Sequence, residues 1–240
     1  MTNWQAVSGP LVIGHRGASA DAPENTLAAF GLALAQGADG VELDVQLAAD
    51  GALVVMHDGR VDRMTSGSGA VRDLPLAALQ ELEMAQGQRI PTLDEVLETF
   101  GPQLLYNIEV KDFGWRERGT ETAVADCIQS HHLEEYVLVS SFNPLALRRL
   151  RRCLPPRVPI ALIRDAGWLK YGYLLADGEA DHPHHALVDA DYMAWARKRK
   201  YQVNVWTVDD PAEAQRLAAL GVNGLITNKP GLIRDSLNSR

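Results

Sequence analysis

The feature that most constrains this chain is an alternation. Short apolar, β-rich runs recur along its 240 residues, and most are followed by a helix-forming stretch. "LVIG", Leu11 to Gly14, reads as a strand, and "ENTLAAFGLALAQG" as a helix entered behind Pro23 and stopped at Gly37. "GVELDVQLA" from Gly40 and "GALVVMHD" from Gly51 are extended and joined through Asp50-Gly51, a hairpin signal. "TLDEVLETFG" predicts a helix with Thr92 and Glu95 as a capping box. Further strands begin at Leu104, Tyr136, Val158, Tyr201 and Gly224, with helices between them; one is capped by Asn143 and has Pro144 at its first position. An eighth strand is expected within Glu179 to Val188. Alternating β and α elements with no second composition class predict parallel strands in one domain. Seven or eight such units predict an α/β TIM-type (β/α)8 barrel over residues 1–240, a usual length for that architecture. An open doubly wound sheet is the competing architecture, and the lack of a Gly-rich phosphate loop counts against it.

Composition bounds the partners. Apolar residues make up 46%, enough for a sizeable core, and 23 Lys+Arg against 31 Asp+Glu leave a net charge of −8. Bulk attraction to nucleic acid or anionic lipid is not expected. The basic run "LRRLRRC", Leu147 to Cys153, reads as a solvated helix face. Cys127 and Cys153 make no metal or redox spacing, and two thiols in an intracellular enzyme are a simpler reading than a disulfide. "MTNWQAVSGP" lacks the basic-then-apolar pattern of a secretory leader, and no apolar run reaches membrane-spanning length. A cytoplasmic location without stable membrane association is therefore expected, and no stretch reads as an oligomer interface.

Three strands break the apolar rule for a doubly buried parallel sheet. "GVELDVQ" puts Glu42 and Asp44 on one face and Val41, Leu43 and Val45 on the other. "LLYNIEVK" does the same with Asn107, Glu109 and Lys111, and "YQVNVWTV" with Asn204 and Trp206. Buried paired carboxylates take up protons unless a cation offsets them. A hard divalent cation, Ca²⁺ or Mg²⁺, takes oxygen ligands of this kind, so Glu42, Asp44 and Glu109 make a candidate metal site. The alternative is a solvated strand or a salt-bridge network with Arg16 and Lys111. His15 and His57 each end an apolar run and precede a charged residue, which suits general acid–base work. His131 and His132 close a helix, and "DHPHH" at Asp181 to His185 lines a pocket or forms a surface loop. Arg16 and Lys111 suit an anionic phosphoester, and Glu24 also looks placed to meet a ligand.

Taken together, "GHRGASADAPENTLAAF", "GVELDVQLAADGALVVMHD", "NIEVK", "VNVWTV" and "GLITNKPG" resemble the glycerophosphodiester phosphodiesterase family, in order and over nearly the full length. The chain looks like its short bacterial cytosolic members. The resemblance implies one divalent cation (Ca²⁺ or Mg²⁺) and hydrolysis of glycerophosphodiesters, such as glycerophosphocholine or glycerophosphoethanolamine, to sn-glycerol 3-phosphate and an alcohol. It implies Glu42, Asp44 and Glu109 as metal ligands, His15 and His57 as the acid–base pair, Arg16 and Lys111 on the substrate phosphate, and Trp206 shaping the pocket. It implies a two-step route through a cyclic phosphate; which histidine acts first as base stays open at this point, and His15 as base with His57 as acid is the order expected here. Residues 58–89 match a small insertion after the second barrel strand. In "PENT", Asn25 or Thr26 is expected to cap the first helix, with capping rather than loop-holding the role expected of Asn25, while the motif also holds the His15 loop. Asn228 stands where an aspartate is common and Met64 where threonine is common, and neither is expected to touch the metal or histidine set. The aromatic loop Gly167 to Leu175, with Trp168, Leu169, Tyr171 and Tyr173, either covers the pocket or packs on the barrel. Two other functions stay open at this point: a lysophospholipase D-like activity on the same barrel, and a non-catalytic phosphodiester-binding barrel.

Overall fold

The computed structural model describes residues 9–111, 118–165 and 172–239, together with Trp4 and Gly114. In chain order its elements are β1 (Leu11–His15), α1 (Leu27–Ala35), β2 (Gly40–Leu47), β3 (Leu53–Val55), α2 (Leu76–Gln80), α3 (Leu93–Phe100), β4 (Leu105–Val110), α4 (Thr120–Ser130) and β5 (Val137–Ser141). There follow α5 (Pro144–Cys153), β6 (Ile160–Arg164), β7 (Ala180–Pro183), α6 (Ala190–Arg199), β8 (Gln202–Val205), α7 (Pro211–Leu220), β9 (Gly224–Thr227) and α8 (Pro230–Asn238). Eight parallel strands run β1-β9-β8-β7-β6-β5-β4-β2, and β1 pairs with β2 to close the ring. The fold is the expected TIM-type barrel. The strand hidden near Glu179 is β7, and β3 folds back antiparallel on β2 with Val45 opposite Val55.

Alternation along each strand separates two cores. Val41, Leu43 and Val45 point outward against Phe30 and Ala33 of α1 and Val96 of α3. Inside the barrel, Leu11, Ile13, Leu105, Leu138, Ala161, Ala180 and Ile226 form one apolar cluster near the strand starts, with Trp4 against it. Trp4 Nε1 donates to the Tyr136 carbonyl at 3.0 Å. The N-terminal end of the barrel is thus packed with hydrocarbon, and the polar interior residues lie above it. The capping box at Thr92 and Glu95 and the Asn143 cap are both present. Between β3 and α3, Val61, Val71, Leu79 and Met84 pack with Val54, Met56 and Ile90 as a satellite core.

The basic run on α5 is not a plain solvated face. Arg149 Nε donates to the fully buried Glu121 at 2.7 Å, and Arg151 pairs with Glu179 at 2.5 Å. The i, i+2 spacing turns these two arginines toward acids that lie far off in sequence. Cys127 and Cys153 are not joined as a disulfide. Among the described residues, no helix is long and apolar enough to cross a membrane.

Candidate active site

Strand register assembles the site. In β1/β2 pairing His15 lies beside Glu42, and in β2/β4 pairing Glu42 lies beside Asn107 and Asp44 beside Glu109. Inward-facing carboxylates from two strands therefore meet at the strand ends, where a parallel barrel carries its chemistry. Ligand atoms of Glu42, Asp44 and Glu109 lie within 4.8 Å of one another, and the residues are only 4%, 1% and 7% exposed. His15, Arg16, Glu42, His57, Glu109, Lys111 and Trp206 line one cavity of about 130 Å³, with Asp44 buried beneath it.

The loop after β1 is built to hold Arg16. Arg16 itself has φ +54°, and its N–H donates to Glu42 Oε2 at 3.0 Å. Gly17 follows at φ +87°, and a Cβ there would stand 2.6 Å from the Ala29 backbone, so this turn can lie on α1 only as glycine. The expected Asn25 cap is corrected: Thr26 Oγ1 accepts from Ala29 N at 3.1 Å. Asn25 adopts φ +59°, a left-handed conformation that asparagine tolerates but an N-cap does not use. Its N–H donates to the Arg16 carbonyl at 3.0 Å, and its Nδ2 donates to Asp44 Oδ2 at 2.8 Å. Asn25 thus ties the His15 loop to the carboxylate cluster. Glu24 does not line the cavity; it accepts from Arg16 Nη1 at 3.0 Å and Arg63 Nη2 at 2.7 Å. Asn25→Ala leaves an Asp44 oxygen short of a buried donor. The expected cost is about 1–3 kcal/mol, read as a lower urea midpoint with unchanged slope.

The carboxylates strain against one another. Burial, then the charges of Asp44 and Glu109, pushes Glu42 well above the ordinary carboxylate range. Burial and Asp44 push Glu109 up to about 7. Burial also acts on Asp44, but Lys111 and Arg16 outweigh it and hold that group down. Lys111 Nζ sits 3.1 Å from Asp44 Oδ1 and 2.6 Å from Glu109 Oε1. Asp44 Oδ1 is buried and meets Lys111 as an ion pair without a well-aligned hydrogen bond. A crowded, buried, all-oxygen donor set of this kind fits a hard divalent cation. The salt-bridge network with Arg16 and Lys111 that the sequence offered as the alternative is present in the same cluster.

Both histidines are oriented through Nδ1. His15 Nδ1 is 2.7 Å from Asn228 Oδ1, and Asn228 Nδ2 donates to Asp209 Oδ2 at 2.6 Å. Asp209 can only accept, so the amide nitrogen faces it and the amide oxygen faces His15. His15 must then carry its proton on Nδ1, which leaves the Nε2 lone pair on the cavity side. Burial, aided by Arg16, lowers the His15 pKa and keeps the ring neutral. Asn228 therefore does touch the histidine set, against expectation, because β9 ends beside β1 in the closed ring. His57 Nδ1 pairs with Asp58 Oδ1 at 2.7 Å. A hydrogen bond from Arg63, then one from His57, lowers the Asp58 pKa to about 2. Gln46 Nε2 donates to the carbonyls of Met56 and Asp58, which pins the His57 segment. Met64 touches neither histidine and accepts from Arg63 Nη1 through its sulfur at 3.0 Å.

The cavity floor was only half visible in the sequence. His182 from the "DHPHH" stretch is buried between Asn107 and Asn204, at 3.4 and 3.0 Å, and burial lowers its pKa to about 3. Trp206 Nε1 donates to the His182 carbonyl at 2.8 Å, and its ring meets Phe142 edge-on at 5.6 Å. Phe142 is a wall residue that no motif flagged. In the aromatic loop, Trp168, Leu169 and Tyr171 lie outside the described residues; Tyr173 packs on Trp195 at 5.1 Å and does not line the cavity.

Residues 15–232 match the model of the glycerophosphoryl diester phosphodiesterase family. The chain belongs to that family. A glycerophosphodiester phosphodiesterase of Caldanaerobacter subterraneus subsp. tengcongensis is 39% identical over 230 residues, covering 92% of this chain and 94% of the relative. One from Bacillus altitudinis is 33% identical over 231 residues, covering 91% and 94%. Among solved structures, an Oleispira antarctica phosphodiesterase in complex with the product sn-glycerol-3-phosphate superposes with TM-score 0.82 at 30% identity, over 96% of this chain and 98% of that one. The chain is accordingly a glycerophosphodiester phosphodiesterase, and the cavity at the strand ends is its candidate active site.

Proposed function

We propose that this phosphodiesterase is metal-dependent, acts on glycerophosphodiesters such as glycerophosphocholine and glycerophosphoethanolamine, and uses His15 and His57 as its acid–base pair. The observation that carries the proposal is the pairing of two Nδ1-anchored histidines around one carboxylate cluster. Glu42, Asp44 and Glu109 would hold the cation, Ca²⁺ or Mg²⁺, which supplies charge neutralisation at the phosphate oxygens. Arg16 and Lys111 line the same cavity and place positive charge where negative charge builds up on the phosphoryl oxygens. Trp206 and Phe142 wall the side of the pocket.

Neutral His15 is suited to act first as base. Its Nε2 takes the proton of the glycerol 2-hydroxyl as that oxygen bonds to phosphorus. The intramolecular nucleophile needs no second encounter. His57, held at Nδ1 by Asp58, gives an Nε2 proton to the departing alcohol oxygen as the P–O bond breaks. Water then opens the cyclic phosphate with the two roles reversed, leaving sn-glycerol 3-phosphate.

The test is release of sn-glycerol 3-phosphate from both substrates, with EDTA and then with Ca²⁺ or Mg²⁺ restored. Release that stops with EDTA and returns with the cation is expected. Undiminished release in EDTA would refute the metal requirement, and no release from either substrate would refute the substrate assignment.

A further inference from the structure

A second cluster of metal-ligating side chains lies away from the barrel mouth, on the helical layer. Cys127 and His131 sit four residues apart at the end of α4, with His131 as its C-cap, so both side chains leave the helix on one face. Asp94 projects toward them from the first turn of α3. Asp94 Oδ1 takes both contacts: Cys127 Sγ at 3.5 Å and His131 Nε2 at 3.0 Å. The three ligand atoms all lie within 4.8 Å of one another.

These separations have a meaning of their own. Tetrahedral zinc with Zn–S near 2.3 Å and Zn–N and Zn–O near 2.0 Å holds its sulfur and oxygen ligands about 3.5 Å apart, and its nitrogen and oxygen ligands about 3.3 Å apart. The two separations to Asp94 Oδ1, 3.5 and 3.0 Å, are close to these values, and the sulfur and nitrogen lie within 4.8 Å of each other. Two helices fix this spacing, so little rearrangement is needed to admit an ion. Asp94 is solvent-exposed while Cys127 is buried, which gives an open side for entry and for a water as fourth ligand.

We infer that Asp94, Cys127 and His131 form a second cation site, selective for a borderline transition metal of the Zn²⁺ or Co²⁺ type. The donor set decides the class: one sulfur, one imidazole and one carboxylate suit such ions, whereas Glu42, Asp44 and Glu109 offer only oxygen. On binding, the Cys127 thiol releases its proton to solvent and His131 presents the Nε2 lone pair of its neutral ring. Without the ion, burial keeps the thiol above its ordinary pKa and therefore protonated. The site is independent of the acid–base assignments in the barrel.

The test uses the full chain in excess Mg²⁺, titrated with Co²⁺. A thiolate-to-cobalt charge-transfer band saturating at one equivalent is expected, since an all-oxygen site gives no such band. Zn²⁺ should bleach it. Cys127→Ser and His131→Ala should abolish the band, and Cys153→Ser should keep it. Phosphodiesterase turnover in Mg²⁺ should be unchanged in all three variants, which also reports that they are folded. Asp94→Ala, at an exposed position, should lose the band with no effect on folding. Absence of the band in the unmodified protein, or its persistence in Cys127→Ser or Asp94→Ala, would overturn the site.

Discussion

Replacing His15 with alanine is expected to lower turnover by about 10²–10⁴-fold, the usual range for loss of a positioned acid or base, while the protein still unfolds in one cooperative transition. The ring is held at Nδ1 by Asn228, and its other nitrogen is left for the substrate. His57→Ala should cost a similar factor on natural substrates, but the two variants separate when the leaving group is changed. A glycerophosphodiester of p-nitrophenol departs without a proton, so it should restore most of the His57→Ala rate and little of the His15→Ala rate. Equal rescue of both would overturn the division of roles, and unchanged turnover in His15→Ala would remove that residue from the mechanism. Asn228→Asp keeps an acceptor on Nδ1 and should stay active, while Asn228→Leu should lose activity without losing the fold.

The second large effect is on stability, and it comes from the carboxylate cluster. Glu109 is raised to about 7 from an ordinary 4.5, chiefly by burial and then by Asp44. Between those two values the folded state binds more protons than the unfolded chain, so stability falls as pH rises through that window. Glu42 is shifted in the same direction and adds to the effect. The lowered His15 and His182 act in the opposite sense over part of the same window, so the carboxylate effect is read as a difference: in chelated protein, Glu109→Gln should raise the melting temperature more at pH 7.5 than at pH 5. A cation bound only by the folded state at 100 times its dissociation constant returns about 2.7 kcal/mol, and the gain should be larger at the higher pH, where the carboxylates need not first lose protons. Asp44→Asn should abolish both the cation-dependent rise in melting temperature and turnover. A melting temperature that ignores Ca²⁺ and Mg²⁺ at every pH would count decisively against Glu42, Asp44 and Glu109 as metal ligands.

Much of the site was legible because strands have a period of two. Glu42 and Asp44, or Asn107 and Glu109, could be placed on one face without knowing what that face met. The same rule placed Trp206 with Asn204. His182 obeyed it too, but its strand is only four residues long and sits in a run of three histidines, so periodicity gave no side to choose. Asn25 was misread because local propensity favours asparagine as a helix cap; its left-handed backbone and its bonds to Asp44 depend on a strand 19 residues further on. Gln46 and Phe142 carry no sequence signal, since a glutamine at a strand end and a phenylalanine after a strand are ordinary.

The sequence by itself determined the alternation, hence the barrel, and the order of motifs, hence the family. Both depend on patterns within a few residues, which local sterics and hydrophobic periodicity enforce. Only the tertiary structure decided what closes the ring. Pairing β9 with β1 brings Asn228, with Asp209 behind it, onto a histidine 213 residues away, and so fixes which nitrogen of His15 carries the proton. The helical layer shows the same division: Cys127 and His131 share a helix face by spacing alone, while Asp94 reaches them only because α3 and α4 pack side by side. Contacts of that range are set by chain closure and packing, which no local pattern encodes.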